Sequence, residues 1–103
     1  MITLGYWAIR GRAEPTRYLL HFLGISFNDK RYTDPEEWFK KDKFNLGLDF
    51  PNLPYFIDAD DGVKLTESIA IPRYICSKWG SELLGKTLED KARIEQFLSM
   101  IIY

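Results

Sequence analysis

Apolar and polar positions change period along this chain, and the changes predict its elements. Residues 2–7, ITLGYW, read as a first strand that has ended by Gly11. Pro15 suits a helix start, because its missing N–H would be unpaired there anyway. Leu19, Phe22 and Leu23 follow helical spacing, and Gly24 is a natural stop. Residues 25–33, ISFNDKRYT, alternate as a second strand. Asp34-Pro35-Glu36-Glu37 supplies a capping oxygen, a proline at the first helical position and a carboxylate three residues after the cap. In the helix-like turn that follows, Trp38, Phe39 and Phe44 form the apolar side, and Lys40, Lys41 and Lys43 read as a solvated face.

NLGLDFPNLP is rich in Gly, Pro and Asn and predicts a loop. Tyr55 to Asp58 and Val63 to Thr66 form a hairpin around Asp60-Asp61-Gly62. A helix from Ser68 to about Trp79 sets Ile71, Tyr74, Ile75 and Trp79 on one side, with Pro72 near its start. Thr87 and Asp90 have capping-box spacing, and Ile94, Phe97, Leu98, Ile101 and Ile102 give the last helix an apolar face. The order βαβ then ββα predicts an α/β, thioredoxin-like sandwich over residues 1–79. Residues 80–87 read as a linker and 88–103 as one further helix.

Composition narrows the function classes. A length of 103 residues allows one small domain, and 46% hydrophobic residues exclude a disordered tail. Fourteen basic against fifteen acidic residues argue against a dedicated nucleic-acid or anionic-membrane binder. The apolar runs are too short to span a bilayer, and the N-terminus lacks the pattern of a signal peptide. One cysteine permits no intrachain disulfide, which fits a reducing, cytoplasmic setting. One His and one Cys, far apart, give no metal-ligand spacing.

The thioredoxin-like pattern raises redox chemistry, but there is no CxxC pair, and mid-helix Cys76 reads as a small buried hydrophobe. Pro54, directly before a strand, is a candidate cis-proline. It would turn the backbone of Leu53 outward, to pair with an extended peptide as an added strand would. Glu67-Ser68 opens a helix whose first N–H groups would receive a carboxylate, while Glu67 could pair with an ammonium. Together they fit an α-amino acid head. Taken alone, Ser68 also reads as an ordinary helix cap.

Gly5-Tyr6-Trp7, Ile9-Arg10-Gly11, Pro15-Thr16-Arg17, the run from Leu46 to Tyr55, Glu67-Ser68, Ala70-Ile71 and Arg73-Tyr74-Ile75 occur in order and at matching spacing. Over residues 2–79 the chain resembles the N-terminal, glutathione-binding domain of a mu-class glutathione transferase. The resemblance implies glutathione as co-substrate, no separate cofactor, and conjugation to small electrophiles. Tyr6 would be the catalytic residue, its hydroxyl favouring the thiolate. Trp7, Lys43 and Asn52 match positions that hold the glycine end of glutathione. Trp38 is a further member, although its spacing to Phe44 is one residue longer than the family's usual. Leu53, before Pro54, would clasp the cysteinyl backbone, and Glu67 and Ser68 the γ-glutamyl head. Ile9 and Arg12 would face the electrophile, with Arg12 standing where the family usually has an apolar residue. Phe50 and Arg73 match dimer-interface positions, which implies a homodimer of the full-length form.

The loop after the second strand is shorter than in vertebrate mu enzymes and closer to the helminth-like form. The family adds an all-helical domain that makes most of the electrophile pocket, and this chain carries only its first helix. A truncated form with impaired activity is therefore the expectation. The partner subunit's usual acidic contact to the γ-glutamyl head aligns with Tyr103 or is missing. Two other functions stay open: a non-catalytic glutathione-binding or interaction module, and a prostaglandin isomerase like that of the related sigma class.

Overall fold

Alternation in ITLGYW becomes strand β1, Ile2–Trp7, at the centre of a four-stranded sheet. This is a computed structural model; it describes residues 1–102, with side chains to Met100. The side chains of Ile101 and Ile102, and all of Tyr103, lie outside the described residues. The other strands are β2 (Asn28–Tyr32), β3 (Tyr55–Asp58) and β4 (Val63–Thr66), in the order β2-β1-β3-β4. β1 runs parallel to β2, with Tyr6 opposite Arg31 and Trp7 opposite Tyr32. It runs antiparallel to β3, with Gly5 opposite Tyr55. The thioredoxin-like arrangement predicted from the element order is the one observed.

The two faces of the sheet are separated by the period of two along each strand. Leu4 and Phe56 join Leu20 of helix α1 (Glu14–Phe22) and Ile71 and Ile75 of helix α2 (Ala70–Trp79) in the main core. On the other face Tyr55 packs with Tyr32, Trp38 and Leu48. Asp58 shares the helical face of Phe56. It is buried, accepts from the Tyr74 hydroxyl at 2.8 Å, and is paired with Lys78 at 2.5 Å. Those hydrogen bonds, that of Lys78 first, hold its carboxyl below the ordinary value of 3.8.

Three elements depart from the sequence pattern. β2 begins at Asn28 rather than residue 25, because the Ile25 N–H bonds back to the Leu20 carbonyl at the end of α1. The segment after Asp34 starts as expected, the Asp34 carboxylate accepting from the Glu36 N–H at 3.0 Å. It then widens into a π-helical turn, Glu37–Asp42, with the Lys43 N–H bonded to the Trp38 carbonyl five residues back at 2.8 Å. Finally, α2 starts at Ala70 and not at Ser68. Glu67 has φ +81°, so the chain turns through residues 68 and 69 before the helix begins. Ser68 caps nothing. Pro72 consequently lies in the first turn, where its absent N–H omits a single bond, between those from Ile71 to Glu67 and from Arg73 to Ile69.

The stretch read as a linker contains a short 3-10 turn, Ser81–Leu84, before helix α3 (Leu88–Ile102). The Thr87 hydroxyl accepts from the Asp90 N–H at 3.0 Å, as the capping spacing predicts. Ile94 and Leu98 of α3 face an apolar groove formed with Pro72, Leu83 and Leu84, and Phe97 is exposed. Arg73 is ion-paired with Glu95 across the two helices.

Candidate functional site

The C-terminal end of β1 carries Tyr6 into a backbone loop shaped to receive it. The Tyr6 hydroxyl accepts the Arg12 N–H at 3.3 Å. Because the oxygen is already an acceptor, its own proton is left to be donated elsewhere. The approach requires Gly11, whose φ is +46°. A Cβ at Gly11 would stand 2.6 Å from the Tyr6 hydroxyl.

Arg17 holds this loop together, a role that its place on an ordinary helical turn did not signal. It is only 3% exposed. Its guanidinium donates to the Ile9 carbonyl at 2.8 Å, to Glu14 at 3.0 Å and to Asp29 at 3.1 Å, and reaches the Trp7 carbonyl at 3.4 Å. Its central carbon also lies 5.9 Å from the Tyr6 ring centroid. One buried cation thus ties β1, the following loop, α1 and β2 together behind the Tyr6 ring. The only sequence signal was a lone arginine within a helix face that otherwise buries.

Beside Tyr6, the residues read from the sequence as a peptide-binding edge come together. The Leu53–Pro54 peptide bond is cis, as anticipated. Arg12, Asn52, Leu53, Pro54, Glu67 and Ser68 line one small polar cleft. Arg12 therefore stands with the Glu67–Ser68 pair and not on a separate surface. Asn52 departs from expectation, since its Oδ1 accepts the Leu53 N–H at 2.9 Å. The outward donor of Leu53 is already engaged by its neighbour, so a peptide ligand pairing there must displace the Asn52 side chain. Glu67, a non-glycine residue in the left-handed region, sits at the cleft. Such conformations concentrate at ligand sites, where the surrounding structure holds them.

At the same end of β1, next to Tyr6, Trp7 joins aromatic rings that gather around one cation. Phe39 packs against Trp7, with ring centroids 5.8 Å apart. The Lys43 Nζ lies 5.4 Å from the centroids of both Phe39 and Phe44. Neither phenylalanine enters the core as the apolar pattern predicted, and both are exposed. At the wide turn Phe39 is exposed and Lys43 half-buried, while Trp38 is buried. Trp38 is 2% exposed and stacks on Tyr55, with centroids 5.8 Å apart and planes 16° from parallel. Among the described residues its indole N–H makes no hydrogen bond, yet no buried side-chain nitrogen or oxygen lacks a partner. The N–H edge therefore keeps contact with the outside.

The remaining predicted residues lie apart from the cleft. Ile9 is exposed on the loop after β1. Phe50 is 78% exposed, while its carbonyl accepts from the Thr66 hydroxyl. Arg73, expected at a dimer interface, pairs with Glu95 of α3 within the chain. Cys76 is buried as predicted, and burial pushes its thiol pKa up.

A family model described as glutathione S-transferase, N-terminal domain, matches residues 2–77. The chain belongs to this family. A class-mu 26 kDa glutathione S-transferase, isozyme 51, of Fasciola hepatica is 55% identical over 93 residues, covering 88% of this chain and 40% of the relative. Glutathione S-transferase Mu 4 of Mus musculus is 48% identical over 101 residues, covering 91% and 44%. Among solved structures, the glutathione S-transferase Blo t 8 superposes with a TM-score of 0.85 at 42% identity, covering 97% of this chain and 45% of that one. The chain thus spans less than half the length of these glutathione S-transferases. The wide turn, the cis-proline and the Glu67–Ser68 corner all lie inside the matched domain.

Proposed function

We propose that the chain is the glutathione-binding part of a mu-class transferase, one that conjugates the glutathione thiolate to small electrophiles. The observation that carries this reading is the Tyr6 hydroxyl, which accepts the N–H of Arg12, a residue of the cleft, so that its O–H is left to donate. Directed at a bound thiol sulfur, that proton stabilises the thiolate, the nucleophilic form. Leu53, before the cis-proline, pairs with the cysteinyl backbone once Asn52 swings off its N–H. Asn52 then joins Trp7, Trp38 and Lys43 at the glycine carboxylate. Glu67 and Ser68 take the γ-glutamyl head, and the uncapped Ser68 hydroxyl is available for its carboxylate. Ile9 and Arg12 border the electrophile.

Residues 1–79 are the binding domain, 80–87 the connection, and α3 the start of a helical domain. Phe50, 78% exposed, is an anchor for a second subunit, and Arg73 is a further residue of that interface. No helix among the described residues is long and apolar enough to cross a membrane. A single buried cysteine suits a reducing, cytosolic setting.

The test is retention on immobilised glutathione together with conjugation of a general aromatic electrophile. Wild type and Tyr6→Phe should both be retained, and Tyr6→Phe should lose conjugation far more than affinity. A chain that fails to bind glutathione defeats the proposal. Retention with no conjugation by wild type would make it a binding module instead.

A further inference from the structure

Tyr55 lies flat across β1 at Gly5, where a Cβ would stand 2.1 Å from its ring. That bare strand position lets the Tyr55 hydroxyl reach the Tyr32 hydroxyl, 2.8 Å away in a buried setting. Tyr32 is bonded in turn to Asp42 Oδ2 at 2.6 Å. An ionised carboxylate only accepts, so Tyr32 donates to Asp42 and Tyr55 donates to Tyr32. Burial first, and the bond to Asp42 next, raise the Tyr32 pKa, so the donor keeps its proton. Asp42 is the last residue of the π-helical turn, directly before Lys43. At the other end of the turn, Glu37 is ion-paired with Lys30 of β2 at 2.5 Å. Both ends of the wide turn are therefore tied to one strand, and Trp38 between them rests on Tyr32 and Tyr55. Wide turns of this kind are rare and cluster at functional sites.

We infer that the Tyr55–Tyr32–Asp42 chain is a positioning device for the glycine end of bound glutathione. It holds the wide turn so that Trp38 and Lys43, five residues apart, serve the same carboxylate. Tyr32 and Tyr55 are buried and act only through Trp38 and Lys43. The inference rests on the reading that this cleft holds glutathione.

The experiment compares glutathione with γ-glutamylcysteine, which lacks the glycine, by calorimetric titration of the full 103-residue chain. Wild type should prefer glutathione. Tyr32→Phe removes the hydroxyl that joins both partners, and should lower that preference by about three- to tenfold, as expected for one net hydrogen bond. Its affinity for γ-glutamylcysteine should stay within about twofold, since that ligand does not use the turn. Asp42→Asn should move the ratio in the same direction by less, and it carries the test if Tyr32→Phe fails to fold by circular dichroism. An unchanged ratio in a folded variant, or equal weakening of both ligands, overturns the inference while leaving the glutathione reading intact. Equal wild-type affinity for the two ligands also overturns it. Wild type binding neither ligand overturns both.

Discussion

Replacing Arg17 tests whether a buried cation builds the floor under Tyr6. Arg17→Met keeps most of the apolar stem and deletes the charged head. The change removes donors from Glu14 and Asp29 and from the carbonyl of Ile9, all at 2.8–3.1 Å. Breaking a fully buried pair costs about 3–5 kcal/mol. Here the partner side chains are 22% and 28% exposed, and Asp29 keeps Arg31 at 2.9 Å. Water and Arg31 therefore recover part of the loss, and the expected cost is about 2–3 kcal/mol. For a chain this small a urea m-value of about 1 kcal/mol/M applies, so the midpoint should fall by about 2 M. Arg17→Lys should restore less than half, because an ammonium cannot span carboxylates and carbonyls as a planar fork does. Urea unfolding followed by tryptophan fluorescence reads both variants. A midpoint shift below about 0.5 M at unchanged m would show that the guanidinium network contributes little and would refute the reasoning.

Three further outcomes follow from the same geometry. Gly11→Ala places a Cβ 2.6 Å from the Tyr6 hydroxyl at φ +46°; it should cost about 2 kcal/mol from the strained conformation and the displaced ring together, and conjugation should fall more than stability accounts for. Glu67→Gly removes a side chain from a left-handed position; its stability by urea unfolding should hold or rise, by up to about 1 kcal/mol, while glutathione affinity on calorimetry falls. Asp58 has a depressed folded pKa, so its contribution is complete above the unfolded value of about 4 and fades as pH drops towards the folded one. Denaturation midpoints across that acid range should decline in wild type and stay flatter in Asp58→Asn.

Much of the fold was legible because its elements are locally encoded. The ITLGYW strand, the proline-started helix and the Asp60-Asp61-Gly62 hairpin each need only neighbours in sequence to be recognised. The cis bond before Tyr55 was legible too, from a proline abutting a strand. What escaped depends on contacts distant in the chain. The widened turn at Glu37–Asp42 reflects Asp42 meeting Tyr32 and Glu37 meeting Lys30, which no helical period encodes. Phe39 and Phe44 looked like core residues for the same reason. The role of Arg17 depends on Asp29, twelve residues on, and on loop carbonyls that helical spacing does not bring to it. Ser68 looked like a cap because helix starts are read from residue type, whereas the left-handed Glu67 moves the start to Ala70. The bond from the Leu53 N–H to Asn52 is local, yet it competes with a ligand contact, and no residue pattern tells which of the two forms in the free chain.

The central claim is that the Tyr6 hydroxyl, held by the Arg12 N–H, stabilises a thiolate in the cleft. Its most direct test is the ultraviolet titration of the glutathione thiol bound to wild type and to Tyr6→Phe. A free thiol titrates near about 8.5. The bound thiol should titrate near about 6.5 in wild type, a difference worth about 2.7 kcal/mol, and should return most of the way to the free value in Tyr6→Phe. The same titration in both proteins, with glutathione bound in each, would contradict the claim.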